Sequence, residues 1–167
     1  MAEKKQDATQ TEDLNDLMRV RREKMEKFRE MGVAPFGQRY EVTHHADRVL
    51  ADFASLGEEA EGTAEVSIAG RLMAIRGHGK ASFAVLMDLS GKIQIYFKLD
   101  VLGEEKYKEF KLLDIGDIIG VKGIVFRTRR GELTVRVDDF TLLSKSLRPL
   151  PEKFHGLKDV EMRYRQR

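Results

Sequence analysis

Three residue types on neighbouring stretches of this chain could together grip an unpaired nucleobase. In RGHGKASFAVLMDLSGKIQIYF, residues 76–97, Phe83 and Gln94 stand within two runs of alternating apolar residues, and Arg76 stands at the end of the strand before them. A ring on the wet side of a sheet can stack on a base, an interaction worth ~1–3 kcal/mol. A neighbouring amide carries both a donor and an acceptor, so it can read a base edge that stacking alone does not distinguish. Arg76 could reach a phosphate or a base, and Arg71, Lys80 and Lys92 surround the same stretch with positive charge. The pattern is also met if Phe83 packs beneath N-terminal helices and Gln94 is a plain surface residue.

Other chemistries find little support. Cysteine is absent, which removes disulfides, thiolate zinc sites and cysteine nucleophiles together. GHGKAS around Lys80 does not meet the phosphate-loop pattern and reads as a strand connector. His44-His45 lacks metal-ligand spacing, and Ser144, Ser146 and His155 do not assemble a triad. No catalytic or metal residue is therefore assigned. No apolar run approaches the ~20 residues that span a bilayer, and the start MAEKKQDATQTED is not a signal peptide, so a cytoplasmic location without membrane is expected. Thirty basic and 28 acidic residues leave a net charge of only +2, so the distribution of charge matters more than its sum. Basic residues crowd residues 19–29 and the C-terminus, at Arg163, Arg165 and Arg167. A solvated helix face with pairs such as Glu23–Lys27 explains the first cluster as well as a partner does.

The elements that must position the three residues follow from periodicity. Residues 1–12 are polar and predicted disordered. From Asp13 a helix is predicted with Leu14, Leu17, Met18, Met25 and Phe28 on a stripe that Arg21 interrupts, stopped by Gly32 and Pro35. A second helix follows Thr43, its N-cap, with Ala46, Val49, Leu50 and Phe53 inward. GEEAEGTAE, residues 57–65, reads as a loop. The period then becomes alternating. Val66, Ile68, Gly70 and Leu72 share one strand face, Ala84 and Leu86 the same face of the next, and Ile93, Ile95 and Phe97 that of a third. A short helix over residues 103–113 buries Tyr107, Phe110 and Leu113, and strands over 118–126 and 133–143 flank a TRRGE hairpin turn.

Three strands, a helix and two strands is the order of the five-stranded OB-fold, a Greek-key barrel that binds oligonucleotides on the outer face of strands two and three. The fold class is thus mainly β with N-terminal α-helices: a helical extension over 13–65, a barrel over 66–143, and a linker over 144–167. Glycines at 70, 120 and 123 fit tight bends in a small barrel. Phe83 and Gln94 fall on the binding face. Strict alternation puts Arg76 on the core side, so its reaching that face requires a bulge or the strand's end there.

The runs VSIAGRLMAIRGHGKASFAVLMDLSGKIQIYFKLD, FKLLDIGDIIGVKGIVFRTRRGELTV and LLSKSLRPLPEKFHGLKDVEMRYRQR resemble the bacterial class II lysyl-tRNA synthetases, over residues 18–167. They correspond to the anticodon-binding domain and the linker after it. Aspartyl- and asparaginyl-tRNA synthetases share the barrel and the Arg…Phe…Gln arrangement, but RPLPEKFHGLKD followed by RYRQR favours the lysine enzymes. The resemblance implies that Phe83 stacks on the central anticodon uridine of the lysine tRNA and that Gln94 hydrogen-bonds anticodon base edges. Arg76 matches the family arginine seven positions before the phenylalanine, and Glu132 the glutamate that helps read an anticodon base. Arg71 is a further anticodon-binding candidate or a holder of the barrel rim. The resemblance also implies a parent enzyme that is homodimeric and uses ATP and magnesium to attach lysine. The chain carries none of the motifs that hold them, so it is expected to bind RNA without charging it. A free-standing module for single-stranded nucleic acid and a protein-interaction domain are the other readings.

Overall fold

The computed structural model describes residues 2–150. The RPLP-type segment beyond Leu150, with His155 and the C-terminal arginines, lies outside them. The five expected strands form, and they close on themselves. β1 (Glu61–His78), β2 (Ala81–Met87), β3 (Lys92–Lys98), β4 (Ile118–Arg127) and β5 (Leu133–Ser144) make a barrel in the order β1-β2-β3-β5-β4. Every neighbouring pair is antiparallel except β3 with β5. Closure leaves no sheet edge and directs one set of alternating residues inward. Val66, Ile68, Leu72, Ala84, Leu86, Ile93, Ile95 and Phe97 accordingly form the core, joined by Ile119, Val121, Val125, Val135, Val137, Phe140 and Leu142.

Between β3 and β4 lie a one-turn helix α3 (Leu99–Leu102) and α4 (Glu104–Lys111). Tyr107, Phe110 and Leu113 are buried as the spacing predicts. Phe110 stacks on Phe97 at 4.3 Å between ring centroids, and Phe140 meets the other ring of that cluster edge-on at 5.7 Å. Tyr107 also donates its hydroxyl to the Gly79 carbonyl at 2.7 Å, tying α4 to the β1–β2 turn.

The glycines at 70 and 120 admit close approach of neighbouring segments. A Cβ at Gly70 would lie 2.5 Å from the Met87 carbonyl oxygen, and one at Gly120 would strike the Tyr40 ring, which lies over that strand. The loop of residues 57–65 is shorter than expected, because β1 already pairs with β4 at Glu61↔Phe126. At the other end, Ser144 completes β5 and Lys145 is buried, so the boundary drawn for a linker at 144 falls inside the barrel.

The N-terminal helices differ more from expectation. α1 runs over Ala2–Glu30, including the residues read as disordered, because Ala, Glu, Lys and Gln favour a helix even without an apolar stripe. Its stripe is used only at one end. Met25 and Phe28 are buried, whereas Leu14 and Leu17 are exposed. Arg21, which breaks the stripe in sequence, donates to the carbonyls of Ile115 and Ser146 at 3.1 Å, and Lys24 meets Asp114 at 2.7 Å. These two cations dock α1 on the turn before β4 and on the chain after β5.

α2 (Ala46–Asp52) is capped at His45 rather than Thr43, and without a side-chain bond of its own. Its first amides are satisfied from the β2–β3 turn instead: Asp88 Oδ2 accepts from Ala46 N at 2.8 Å and Ser90 Oγ from Asp47 N at 3.1 Å. Thr43 bonds Ser67 of β1, pinning the strand-like segment before α2 to the barrel. Ala46 and Val49 face inward as expected, while Leu50 is exposed.

Two of these anchoring carboxylates give the fold an acid limit. Burial alone would raise both, but hydrogen bonds from Lys145 and Lys24 hold Asp114 below its ordinary value, and those from Ser90 and the amides of Ala46, Ser90 and Gly91 do the same for Asp88. A carboxyl depressed in the folded state gives stability that is complete above its unfolded value, near ~3.9, and is lost as pH falls through the folded value. Thermal midpoints are therefore expected to be flat from neutrality to about pH 5 and to fall below about pH 4. The fall should be shallower in an Asp88→Asn/Asp114→Asn double variant, and an unchanged acid limb would refute the assignment.

Candidate nucleic-acid interface

The register of the barrel converts the outward-facing residues into rows. Across β1, β2, β3 and β5, one row reads Arg76, Phe83, Tyr96 and Arg136. The next reads Ala74, Val85, Gln94 and Thr134, and continues to Phe126 on β4. A third holds Arg71, Met87 and Lys92. Glu132 stands two positions before Thr134, in the hairpin that precedes β5, outside the paired rows. Arg71, Arg76, Phe83 and Gln94 thus lie in adjoining rows, with Glu132 in the hairpin beside Thr134. Phe83 and Gln94 are diagonal neighbours, a relation that brings such side chains within ~7–8 Å.

Arg76 reaches this surface through the device its position requires. Leu72 pairs with Leu86 but Ala74 pairs with Val85, so Met73 is an extra residue in β1. This bulge reverses the alternation: Leu72 points inward before it, and after it Arg76 pairs with Phe83 and is exposed. Without the extra residue Arg76 would enter the core. Arg71 precedes the bulge and faces outward opposite Met87, four residues from Phe83 along β2, or ~13 Å at the strand repeat.

Phe83 is half-buried and lies outside the core. Its ring packs against Tyr96 at 4.7 Å between centroids, tilted by 32°, and Tyr96 in turn meets Phe126 edge-on at 6.0 Å. The aromatic surface therefore extends beyond the one ring singled out in the sequence. Alternation alone puts Tyr96 on this face, but the ladder to Phe126 depends on β4 and β5 lying next to β3, which local sequence does not reveal.

Gln94 is not bare. It is only 8% exposed, flanked across the sheet by Val85 and Thr134, and its Nε2 donates to Thr134 Oγ1 at 3.2 Å. The Thr134 hydroxyl donates to the Glu132 carbonyl at 3.3 Å, and the same carbonyl accepts from Thr128 N at 3.0 Å. The amide, the threonine and the hairpin that carries Glu132 are thus one connected unit. The Glu132 side chain is exposed.

The charges of the surface divide into committed and uncommitted groups. Arg136 is paired with Glu61 at 2.7 Å, and Arg127 donates to the carbonyls of Leu56, Ala54 and Gly131, so both serve the fold. Among the described residues, Arg71, Arg76, Lys80 and Lys92 have no carboxylate within salt-bridge distance. Four unneutralised cations around these contacting rings suit an anionic ligand that carries flat bases. No group of three or more His, Cys, Asp or Glu among the described residues is arranged to hold a metal ion. No helix among them is long and apolar enough to cross a membrane.

Comparison with known proteins gives a family match and a set of relatives. Residues 66–143 match the family of OB-fold nucleic acid binding domains, the tRNA anti-codon group. Over 156 residues, or 93% of its length, the chain is 56% identical to the lysine–tRNA ligase of Carboxydothermus hydrogenoformans, of which it covers 31%. It is 54% identical over 158 residues to that of Bacillus subtilis, covering 32%, and 57% identical over 153 residues to that of Moorella thermoacetica, covering 30%. The chain spans about a third of the length of these relatives. Residues 66–143 thus match the OB-fold nucleic acid binding domain family, on a chain similar over nearly all its length to about a third of each of these lysine–tRNA ligases.

Proposed function

We propose that this chain is the part of a lysine–tRNA ligase that recognises the anticodon of the lysine tRNA. The observation that carries the reading is the outer surface on which the β1 bulge joins Arg76 to Phe83, one row from Gln94. An anticodon base leaving the loop would lie on the Phe83 ring, which Tyr96 backs from the β3 side. Gln94 would bond its edge, and Arg76 would hold the adjoining phosphate or base. Glu132, in the hairpin beside Thr134, would accept N–H donors of a neighbouring base and reject bases that lack them. Arg71 would take a phosphate of the strand running across the rim. The attachment of lysine to tRNA with ATP and magnesium, in a cytoplasmic homodimer, is the activity we propose for the whole enzyme. None of the steps of base recognition runs through the nucleotide or the metal.

Phe83→Ala is expected to weaken binding of an anticodon stem-loop by ~1–3 kcal/mol, or about 5- to 150-fold, with Gln94→Ala relaxing the preference for the middle base. Titrations with stem-loops differing only at that base give both numbers. Equal affinity for every loop sequence would replace anticodon recognition by general single-strand binding. An affinity insensitive to salt would remove RNA altogether, because phosphate contacts release counterions.

A further inference from the structure

The amide of Gln94 can select a base only if it cannot turn over. Uracil and cytosine have nearly the same size and stack alike, but they invert donor and acceptor at ring N3 and at the position 4 substituent. A primary amide offers one carbonyl and one NH2, and a half-turn about its last bond exchanges them. A freely turning glutamine therefore satisfies either base and distinguishes neither.

Here the two ends of the amide are not equivalent. Nε2 donates to Thr134 Oγ1 at 3.2 Å. Thr134 is fully buried, and its single hydroxyl proton is directed to the Glu132 carbonyl, which can only accept. That commitment leaves the threonine an acceptor toward Gln94. Turning the amide over would set its carbonyl oxygen against the threonine oxygen, which could answer only by withdrawing its proton from the Glu132 carbonyl, so one hydrogen bond of the buried relay is lost. The polarity of one backbone carbonyl in the β4–β5 hairpin is thus relayed through Thr134 to the amide on β3. We propose that Thr134 is a positioning residue that locks Gln94 with its carbonyl free, so that the site discriminates between pyrimidines with opposite hydrogen-bonding edges. The inference rests on the anticodon reading given above.

The test compares wild type, Thr134→Val, Thr134→Ser and Phe83→Ala for binding to two stem-loops that carry uracil or cytosine at the middle position. Valine keeps the volume and removes the relay. The ratio of the two affinities is expected to fall about tenfold in Thr134→Val, as for loss of one directed hydrogen bond in a buried site, and to return in Thr134→Ser. Affinity for the preferred loop should change less than the ratio. A second measurement needs no RNA: in the free chain, one Gln94 side-chain N–H should be protected from solvent exchange in wild type and Thr134→Ser, and unprotected in Thr134→Val. An undiminished ratio in Thr134→Val, or an unprotected Gln94 amide in wild type, overturns the lock. If Phe83→Ala binds both loops as wild type does, the anticodon reading itself fails, and the exchange measurement still decides whether the amide is held.

Discussion

Replacing Lys145 with alanine is expected to destabilise the barrel by ~3–5 kcal/mol, because it strands a buried carboxylate. The Lys145 ammonium has no exposed side-chain surface and lies 2.7 Å from Asp114 and 2.8 Å from Asp117, whose own side chain is equally sealed. Asp117 keeps two backbone donors, Asp114 N and Ser146 N, each at 2.8 Å. These bonds orient the carboxylate without cancelling its charge. Asp114 keeps Lys24, so the damage concentrates on Asp117. A loss of this size is a large share of the ~5–15 kcal/mol that holds a domain folded. Urea unfolding should show a lower midpoint with little change in slope. Lys145→Met/Asp117→Asn, which removes both charges, should recover much of the loss, since a missing pair costs less than half a pair. A loss below ~1 kcal/mol in Lys145→Ala would mean that the pair behaves as an exposed one.

The second large effect is expected at Gly123. A Cβ there would overlap the Arg136 carbonyl oxygen on β5 and press on its carbonyl carbon at 2.8 Å. The strands touch this closely because β5 carries an extra residue at Asp138, between the pairs Lys122↔Asp139 and Gly123↔Val137. Neither backbone can yield without opening the barrel seam, so Gly123→Ala should cost at least ~4 kcal/mol, the range of the most damaging single substitutions. The same displacement would reach the binding surface, because Arg136 pairs with Tyr96, the residue that backs Phe83. Two other glycines separate steric overlap from backbone freedom. Gly57 has open space around it and no left-handed φ, so Gly57→Ala should be nearly neutral. Gly131 is equally open but has φ +84°, so its replacement should cost only ~1 kcal/mol from the backbone term. Equal losses at 57 and 123 would mean that close packing is not what glycine provides at the seam.

Alternation reveals much of the barrel in advance. The inward residues of β1 to β3, the aromatic burial of α4 and the order of five strands all follow from a period of two giving way to a period near 3.6 and returning. The same alternation separates Phe83 and Gln94 from the core, since neither fits the inward set Ala84, Leu86, Ile93 and Ile95. It fails at Arg76 for a definable reason. A bulge adds one residue without altering local composition, so its site at Met73 becomes visible only when the partner strand is in place. The helical extension was less legible. Leu14, Leu17 and Leu50 fit apolar stripes yet stay exposed, while Arg21 breaks a stripe and is anchored by distant carbonyls. Periodicity reports which residues share a face, and it does not report whether anything covers that face.

By itself, then, the order of residues determined the fold class, the inward faces and the presence of a ring and an amide outside the core on adjoining strands. Those properties arise from neighbours two to four positions apart, the range over which backbone geometry repeats. Tertiary structure alone decided that Arg76 turns outward, that Phe126 joins Tyr96 in the ring surface, and that Gln94 is held by Thr134 forty residues away. Each of these depends on strand register and on the parallel contact of β3 with β5, which exist only once distant segments have closed the barrel.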